Sequence, residues 1–474
     1  MPALDERSRP SIPLSVVTIF LGVVSLAAAQ DRKSDKDDIL TIGARIYIDN
    51  NSVSPSSRFV DLSGTGATDA DLKSLFRLTN VTGISLSRTQ VTDEGMGTIS
   101  QLSALQTIDL TATKIGDKGI EPLGKLKALR QLSLPTNITD RALVTVGKFD
   151  NLEELSLPSP YVTADGIKFL SRLQKLRKCD LSGTRLDSAG YSSLGQLKGL
   201  NELSLTCNSS LTDSNLKTIS ELRGISRLEI FATPAISGEG IAFLRNMHSL
   251  RSLSLQTDNV ENAQANGLGS LAALAELQDI SLAGWNLRDK DIAELKVFLS
   301  LTSVRIKGRH IDDDGFANLI PLKKLRLIDV SHSGVSDQSM TLLRSFPDLI
   351  DLDVSSTHIT DNAMPPICML KNLRSLSLAY TRVHDTNINQ IAAMKELRLL
   401  NLSGTACTDA AIREIAKLPN LTVLMAPEQM TNAGLESLLS TKVTSLDLSF
   451  TKITDDGVSA LSRMSEIEEL SKYD

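Results

Sequence analysis

From residue 59 onward, apolar residues recur in one order with a period of about 24 residues. The segments VTGISLSRTQVTDEGMGTISQLSA (81–104), LQTIDLTATKIGDKGIEPLGKLKA (105–128), LRKCDLSGTRLDSAGYSSLGQLKG (176–199) and LIDLDVSSTHITDNAMPPICMLKN (349–372) align without a gap. Their common frame is LxxLxLxxTx(I/V)TDxG followed by apolar residues at helical spacing. The alternation in Leu105, Ile108 and Leu110, or Leu373, Leu376 and Leu378, predicts a strand with these side chains turned inward. Pairs such as Thr92-Asp93, Thr360-Asp361, Thr408-Asp409 and Thr454-Asp455 predict helix starts, because Thr and Asp are favoured caps and an acid suits the helix dipole. Met96, Ile99 and Leu102 then supply an apolar helix face.

About seventeen such units run from Phe59 to Glu466. Their length varies only in turns: short at Pro135 and Pro427, long at Asn208, Pro234 and between residues 259 and 268. A stack in which each unit touches only its neighbours tolerates changes of this kind. The Thr after the strand (Thr65, Thr89, Thr113, Thr184, Thr357, Thr381, Thr405, Thr451) is placed to bond turn backbone groups that burial would otherwise leave unpaired. Residues 39–58, with Ile46 and Ile48 at strand spacing, read as an N-terminal cap, and residues 467–474 as a closing edge.

The TDxG unit with Thr in the turn resembles the 24-residue leucine-rich repeats of exported bacterial proteins, and is similar to the cysteine-containing repeats behind F-boxes. The resemblance covers nearly the whole chain beyond residue 58. It implies an α/β fold, a right-handed leucine-rich repeat solenoid or horseshoe, with a parallel β-sheet on the concave face and helices on the convex face. It also implies a protein ligand on the concave face or rim. A ubiquitin-ligase adaptor role is disfavoured, since no F-box helices precede the first repeat.

Residues 14–29 (LSVVTIFLGVVSLAAA) follow Arg7 and Arg9 and end in the small residues Ala27-Ala28-Ala29, the pattern of a signal peptide cut before Gln30. The alternative is a retained anchor, which Pro13, Ser15, Thr18, Gly22 and Ser25 weaken. Residues 30–38 read as a polar spacer, and no later stretch is long and apolar enough to span a bilayer. The expected location is periplasmic, cell-surface or extracellular.

Composition narrows the chemistry. The 474 residues are 41% hydrophobic and only 4% aromatic, and 50 Lys and Arg against 56 Asp and Glu leave a net charge of −6. Sequence-independent nucleic-acid binding is disfavoured. Four scattered cysteines form neither a disulfide framework nor a CxxC zinc motif, and five histidines leave little for a triad or metal site. No GxSxG, HExxH or phosphate-loop motif is present. The reading is therefore a non-enzyme, with no cofactor and no metal expected. Asp312-Asp313-Asp314, the densest acid cluster, lacks EF-hand spacing and reads as capping.

The concave face carries mainly Ser and Asp at midstrand (Ser85, Asp109, Ser133, Asp180, Asp329, Asp353, Ser377), a poor source of binding anchors. Arg130, Arg177, Arg251, Arg326, Arg374 and Arg398 recur just before the strands as a candidate basic rim. The densest candidate site lies in the strand-to-helix turns of the units starting at Leu277, Leu301, Leu325, Leu349 and Leu373. Trp285, Arg309, His310, His332, His358, Tyr380 and Arg382 fall there, with His384 beside them and Arg305 and Lys307 on the adjoining strand. Stacking is expected to gather them into one partner-binding patch, made pH-sensitive by its imidazoles. The competing reading is a chance run of turn residues, with Arg305 paired to Asp329. Recognition of an envelope polysaccharide is the alternative function, with Trp285, Tyr380 and Phe450 as stacking residues.

Overall fold

The computed structural model describes residues 43–49, 57–208, 210–231, 236–256, 267–284, 287–464 and 466–471. The expected signal peptide and spacer, and Trp285, lie outside the described residues. The chain divides into two compact units, Met1–Leu155 and Ser156–Asp474.

The first unit opens with β1 (Arg45–Asp49), antiparallel to β2 (Ser57–Asp61), with Ile46 opposite Val60. The inner part of the expected cap is therefore a strand, and residues 57 and 58 already belong to β2. From there β3 (Val81–Ser85), β4 (Thr107–Asp109) and β5 (Gln131–Ser133) each lie parallel to the preceding strand, with Ile84, Ile108 and Leu132 in register. The boundary between units falls within β6 (Glu154–Ser156).

The second unit continues with β7 (Lys178–Asp180), β8 (Glu202–Thr206), β9 (Arg227–Phe231), β10 (Ser252–Gln256), β11 (Asp279–Ala283), β12 (Ser303–Lys307) and β13 (Leu327–Asp329). Then follow β14 (Asp351–Asp353), β15 (Ser375–Ser377), β16 (Leu399–Asn401), β17 (Val423–Met425), β18 (Ser445–Asp447) and β19 (Glu469–Ser471). From β8 onward each pairs in parallel with its predecessor. Leu253 stands opposite Ile280 and Leu424 opposite Leu446, so the long and short units keep their strands in register. Their length changes are absorbed in the connections, as a stack of nearest-neighbour units allows. Parallel strands joined one by one through short helices make a leucine-rich repeat solenoid, whose core is the column of inward Leu, Ile and Val residues. Leu352, Leu376 and Leu400 are all fully buried, and each such side chain contributes about 1.5–3 kcal/mol through burial.

The connecting helices are shorter and less regular than the sequence suggests. Many span seven residues, as in Asp117–Leu123 or Asp409–Ile415. After the strand and two turns, a 24-residue unit retains only about two helical turns. Leu268–Ala273 and Ile388–Ala393 are 3-10 turns. Each follows a left-handed residue, Gly267 (φ 109°) or Asn387 (φ 63°), without a side-chain cap. Losing the cap removes the bond that fixes the first turn of an α-helix.

The turn Thr works as its position predicts. Thr89, Thr184 and Thr405 donate their hydroxyls at 2.6–2.7 Å to the carbonyls of Leu86, Leu181 and Leu402. The Thr of the TD pair is the helix cap: Thr408 accepts the Ala410 amide at 3.2 Å. The Asp does more than complement a dipole. Its carboxylate reaches into the following repeat and accepts both the amide and the hydroxyl of the next cap residue. Asp69 does this to Thr92, Asp117 to Thr139, Asp337 to Thr360, Asp385 to Thr408 and Asp409 to Thr431, at 2.6–2.9 Å. These rungs explain the Gly of TDxG. A Cβ on Gly95, Gly119, Gly240, Gly315 or Gly434 would collide with the carboxylate of Asp69, Asp93, Asp213, Asp289 or Asp409. The three residues have separate jobs: Thr receives a rung, Asp extends one, and Gly leaves room for the one arriving.

Candidate functional site

A positive-φ residue stands at the strand-to-helix edge, immediately before the turn Thr or its equivalent. Gly64, Gly183 and Gly404 fill this position at φ 69–72°. Elsewhere it holds Arg88, Ala112, His332, Ser356, Tyr380 and Phe450, all at φ 54–61°. A left-handed conformation costs a residue with a Cβ about 1–2 kcal/mol. Tyr380 and Phe450 accept this while each remains 63% exposed, so burial does not offset the strain. Tyr380 lies across Gly404, where any Cβ would strike its ring.

Two residues further on, the chain forms a second, shorter ladder outside the sheet. His358 donates its amide to the Val335 carbonyl and Arg382 to that of Ile359, each at 2.9 Å. Arg288 pairs with His310, Ser336 with His358 and Thr360 with Arg382 as isolated parallel bridges. The rim candidates thus occupy two columns. His332 and Tyr380 share the left-handed column, two repeats apart, with Ser356 between them; His310, His358 and Arg382 share the outer column, with Gly334 between the two histidines. Arg309, His310, His332, His358, Tyr380 and Arg382 are all exposed. Trp285 lies outside the described residues.

Three candidates have other settings. Arg305 sits on β12, half-buried on the sheet face, and its Nη1 donates to Ser303 Oγ at 3.1 Å. Although Arg305 stands opposite Asp329 in register, the cation in contact with Asp329 is Lys307, at 3.6 Å. The pairing expected of Arg305 therefore belongs to Lys307, whose side chain points the same way two residues along. His384 takes the place of Thr in a rung: its amide donates to Asp361 Oδ1 at 2.7 Å, and Nδ1 lies 2.9 Å from the Arg382 carbonyl and 3.6 Å from Asp361 Oδ2.

The sheet face is polar and internally compensated. Lys178 lies 3.6 Å from Glu202, and Arg227 3.8 Å from Glu229, whose carboxyl burial pushes up against the pull of Arg227. Burial also raises Asp351, opposed by a Ser375 hydrogen bond and the Arg305 charge and reinforced by Asp353 and Asp329. An apolar spot formed by half-buried Leu399, Val423 and Met425 on β16 and β17 escaped the sequence reading. Alignment of the strand positions on either side of the inward Leu would have exposed it.

The Arg series before the strands is less basic than its sequence suggests. Arg130 pairs with Glu153, Arg251 lies 3.6 Å from Glu276, and Arg177 Nη1 donates to the Gly199 carbonyl at 2.9 Å. Arg326 and Arg374 line an open groove of about 550 Å³ together with Asp348 and Glu396. Acids at the neighbouring position neutralise this edge.

Cys179 and Cys407 are buried inward residues, and Cys368 is buried on the helix Met364–Cys368. Burial raises all three thiols, Cys368 and Cys407 to about 12. A thiol in that state is protonated and a poor nucleophile. Asp312 caps its helix through the Asp314 amide, and Asp313 accepts the Ser336 amide and hydroxyl as a rung. Among the described residues no group of three or more His, Cys, Asp or Glu side chains is placed to hold a metal ion. No described helix is long and apolar enough to cross a membrane.

Comparison with known proteins agrees with the repeat. A family model described as Leucine Rich repeat matches residues 102–124 and 439–462. No curated protein matches. Among solved structures, an internalin of Listeria monocytogenes is 19% identical, with 77% of this chain and 93% of that one covered and a TM-score of 0.42. A leucine-rich repeat protein of Leptospira interrogans is 20% identical, with 84% and 91% covered and a TM-score of 0.45. The plant peptide hormone receptor RGFR1 in complex with RGF2 is 15% identical, with 84% and 71% covered and a TM-score of 0.35.

Proposed function

We propose that this chain is an exported, non-catalytic leucine-rich repeat scaffold that binds a protein through the turn rim of the repeats centred on β11 to β15. The observation that carries the reading is Tyr380, an aromatic side chain 63% exposed on a left-handed backbone that three other repeats fill with Gly64, Gly183 and Gly404. Conformational strain kept at an exposed site is characteristic of functional positions, and exposed aromatics flanked by Arg are the usual anchors of interfaces. His332 repeats the arrangement two units earlier, and Arg309, His310, His358 and Arg382 surround it. The polar, internally paired sheet face offers fewer such anchors. Export rests on residues 14–29 and the small-residue site before Gln30.

The test has two arms. Secreted protein should begin at or near Gln30, whereas intact Met1 on membrane-bound material would replace the signal peptide by an anchor. A Trp285→Ala/Tyr380→Ala variant should lose the partner captured by cross-linking from the native secreted fraction, while keeping its circular dichroism. Substitutions at Ser85 and Ser133 should not affect capture. Unchanged capture by the double variant would remove the rim as the site.

Polysaccharide recognition is the second reading, favoured by Phe450, which shares the left-handed position and exposure of Tyr380. Binding of envelope glycan by isolated protein, abolished by Tyr380→Ala, would select it.

A further inference from the structure

The outer turn column has a one-sided charge. Its residue immediately precedes the buried aliphatic that closes the turn, as His310 precedes Ile311 and Arg382 precedes Val383. Among the described repeats this residue is never Asp or Glu. It is Lys114 in the first unit, and Arg185, His310, His358, Arg382 and Lys452 in the second, all exposed, with small or neutral residues elsewhere. The bias stands against a chain with a net charge of −6.

Between β12 and β15, among the described residues, the nearby carboxylates form no ion pair with it and most are bonded to other groups. Asp313 is taken up by Ser336, Asp337 by Thr360, and Asp361 by the His384 amide. Each rung directs a carboxylate to the next helix start. Only Asp312 and Asp314 remain exposed, at the His310 end. Among the described residues, the side chains of Arg309, His310, His332, His358 and Arg382 form no ion pair or hydrogen bond, so the guanidinium groups keep their full donor capacity. The backbone bridges hold this column one residue per repeat, about 5 Å apart, a spacing an extended chain can follow. On the adjoining sheet face Asp329 lies 3.6 Å from Lys307, so that face takes up much of its own charge and the unpaired cations stand at the rim.

We propose that this rim docks an extended acidic segment of the partner protein, with Arg309 and Arg382 as bidentate carboxylate clamps and Tyr380 as the apolar anchor beside them. The proposal rests on the rim reading above and adds the chemistry of the partner. Arg suits this role because its planar fork matches a carboxylate.

The experiment uses the full mature chain and a fluorescent Asp/Glu-rich peptide, read by anisotropy. A Lys-rich peptide of equal length and an anionic polysaccharide, polygalacturonate, serve as competing probes. The acidic peptide should bind, weaken steeply as salt rises from about 0.05 to about 0.5 M, and lose about tenfold or more in affinity in Arg309→Gln/Arg382→Gln. Arg326→Gln/Arg374→Gln, on the compensated opposite edge, should bind as the parent does. Absence of binding, equal binding of the Lys-rich peptide, indifference to the rim variant, or binding of polygalacturonate alone would each overturn the proposal. If Trp285→Ala/Tyr380→Ala still abolishes capture of the native partner while the acidic peptide fails to bind, the acidic chemistry falls and the rim site stands.

Discussion

The Oδ1 atom of Asp93 lies 2.6 Å from where a Cβ on Gly119 would be built, and the same atom accepts the Gly116 amide at 2.6 Å. One carboxylate thereby limits the size of a residue in the next repeat. The position is not absolutely closed: Ala142, Ala363 and Ala411 occupy it in three repeats, and Ser339 fills it by donating its own hydroxyl to Asp313. Gly434→Ala should therefore be mild. Gly434→Val, which adds branches against Asp409 and Met430, should cost about 2 kcal/mol or more. Urea denaturation of both variants checks the order; equal losses would show that the carboxylate moves freely aside.

The rung itself should be replaceable by an amide but not by a methyl. At one step the chain already uses Asn: Asn432 accepts the Thr454 amide at 3.1 Å and donates to its hydroxyl at 2.8 Å. Asp409→Asn should keep most of the stability, whereas Asp409→Ala leaves the Thr431 amide and hydroxyl short of an acceptor and should cost about 1–3 kcal/mol. Hydrogen exchange should report the loss at Thr431 and the helix Asn432–Leu438 first.

One rung is electrostatically mismatched. Asp312 stands where other repeats place Thr or Ser, so Asp289 reaches its amide at 3.1 Å but meets a second carboxyl instead of a hydroxyl. Burial raises the Asp289 carboxyl; the Asp312 amide opposes this, while the charge and side chain of Asp312 and the charge of Asp314 add to it. A carboxyl raised in the folded state contributes its stability below the ordinary carboxylate value and loses it as pH rises through the raised one. Asp312→Thr should thus raise the melting temperature at about pH 7, by a margin that shrinks toward about pH 4. A margin independent of pH would show that the two carboxyls do not interact.

Thiol reactivity should be confined to Cys207. It is the exposed cysteine among the four, in a turn at φ 55°, whereas burial raises the thiols of Cys179, Cys368 and Cys407. A mild thiol reagent should label one cysteine per native chain, and Cys207→Ser should abolish labelling.

Leu376 is fully buried between Leu352 and Leu400. Leu376→Asp places an unpaired charge in the column and should disrupt its repeat and both neighbours. Limited proteolysis should nick the chain between residues 350 and 400; resistance equal to the parent's would refute the inward assignment.

Much of this fold is legible in period and spacing alone, because the positions that build it act locally. Leu376 alternates with Leu378, Thr405 bonds the carbonyl three residues before it, and Thr408 caps the helix it starts. The rungs were hidden because each joins residues more than twenty apart: TD and G recur visibly, but their coupling, such as Asp93 to Gly119, appears only when repeats are stacked. The uncapped 3-10 turns at Leu268 and Ile388 follow from left-handed starts that composition does not announce. At the rim, the clustering of His and Arg was readable in order. The left-handed backbone under Tyr380 was not, since Tyr carries no sign of it; only the Gly at the same place in other repeats, Gly404 among them, does. Arg305 was drawn into the cluster by sequence proximity, although a strand directs it onto the sheet face.

The rung also gives the array a direction of growth. Each regular repeat carries an acceptor facing forward and a cap facing back, so a duplicated 24-residue cassette arrives with both halves of its joint and can be inserted between existing neighbours without adjusting either. Repeats that replace the cap with Asp312 or His384 lack that interchangeability. A copy of one of them would import its mismatch with every insertion, so lengthening of the array by duplication should draw on the Thr-capped stretches and leave the segment between β11 and β15 as single-copy sequence.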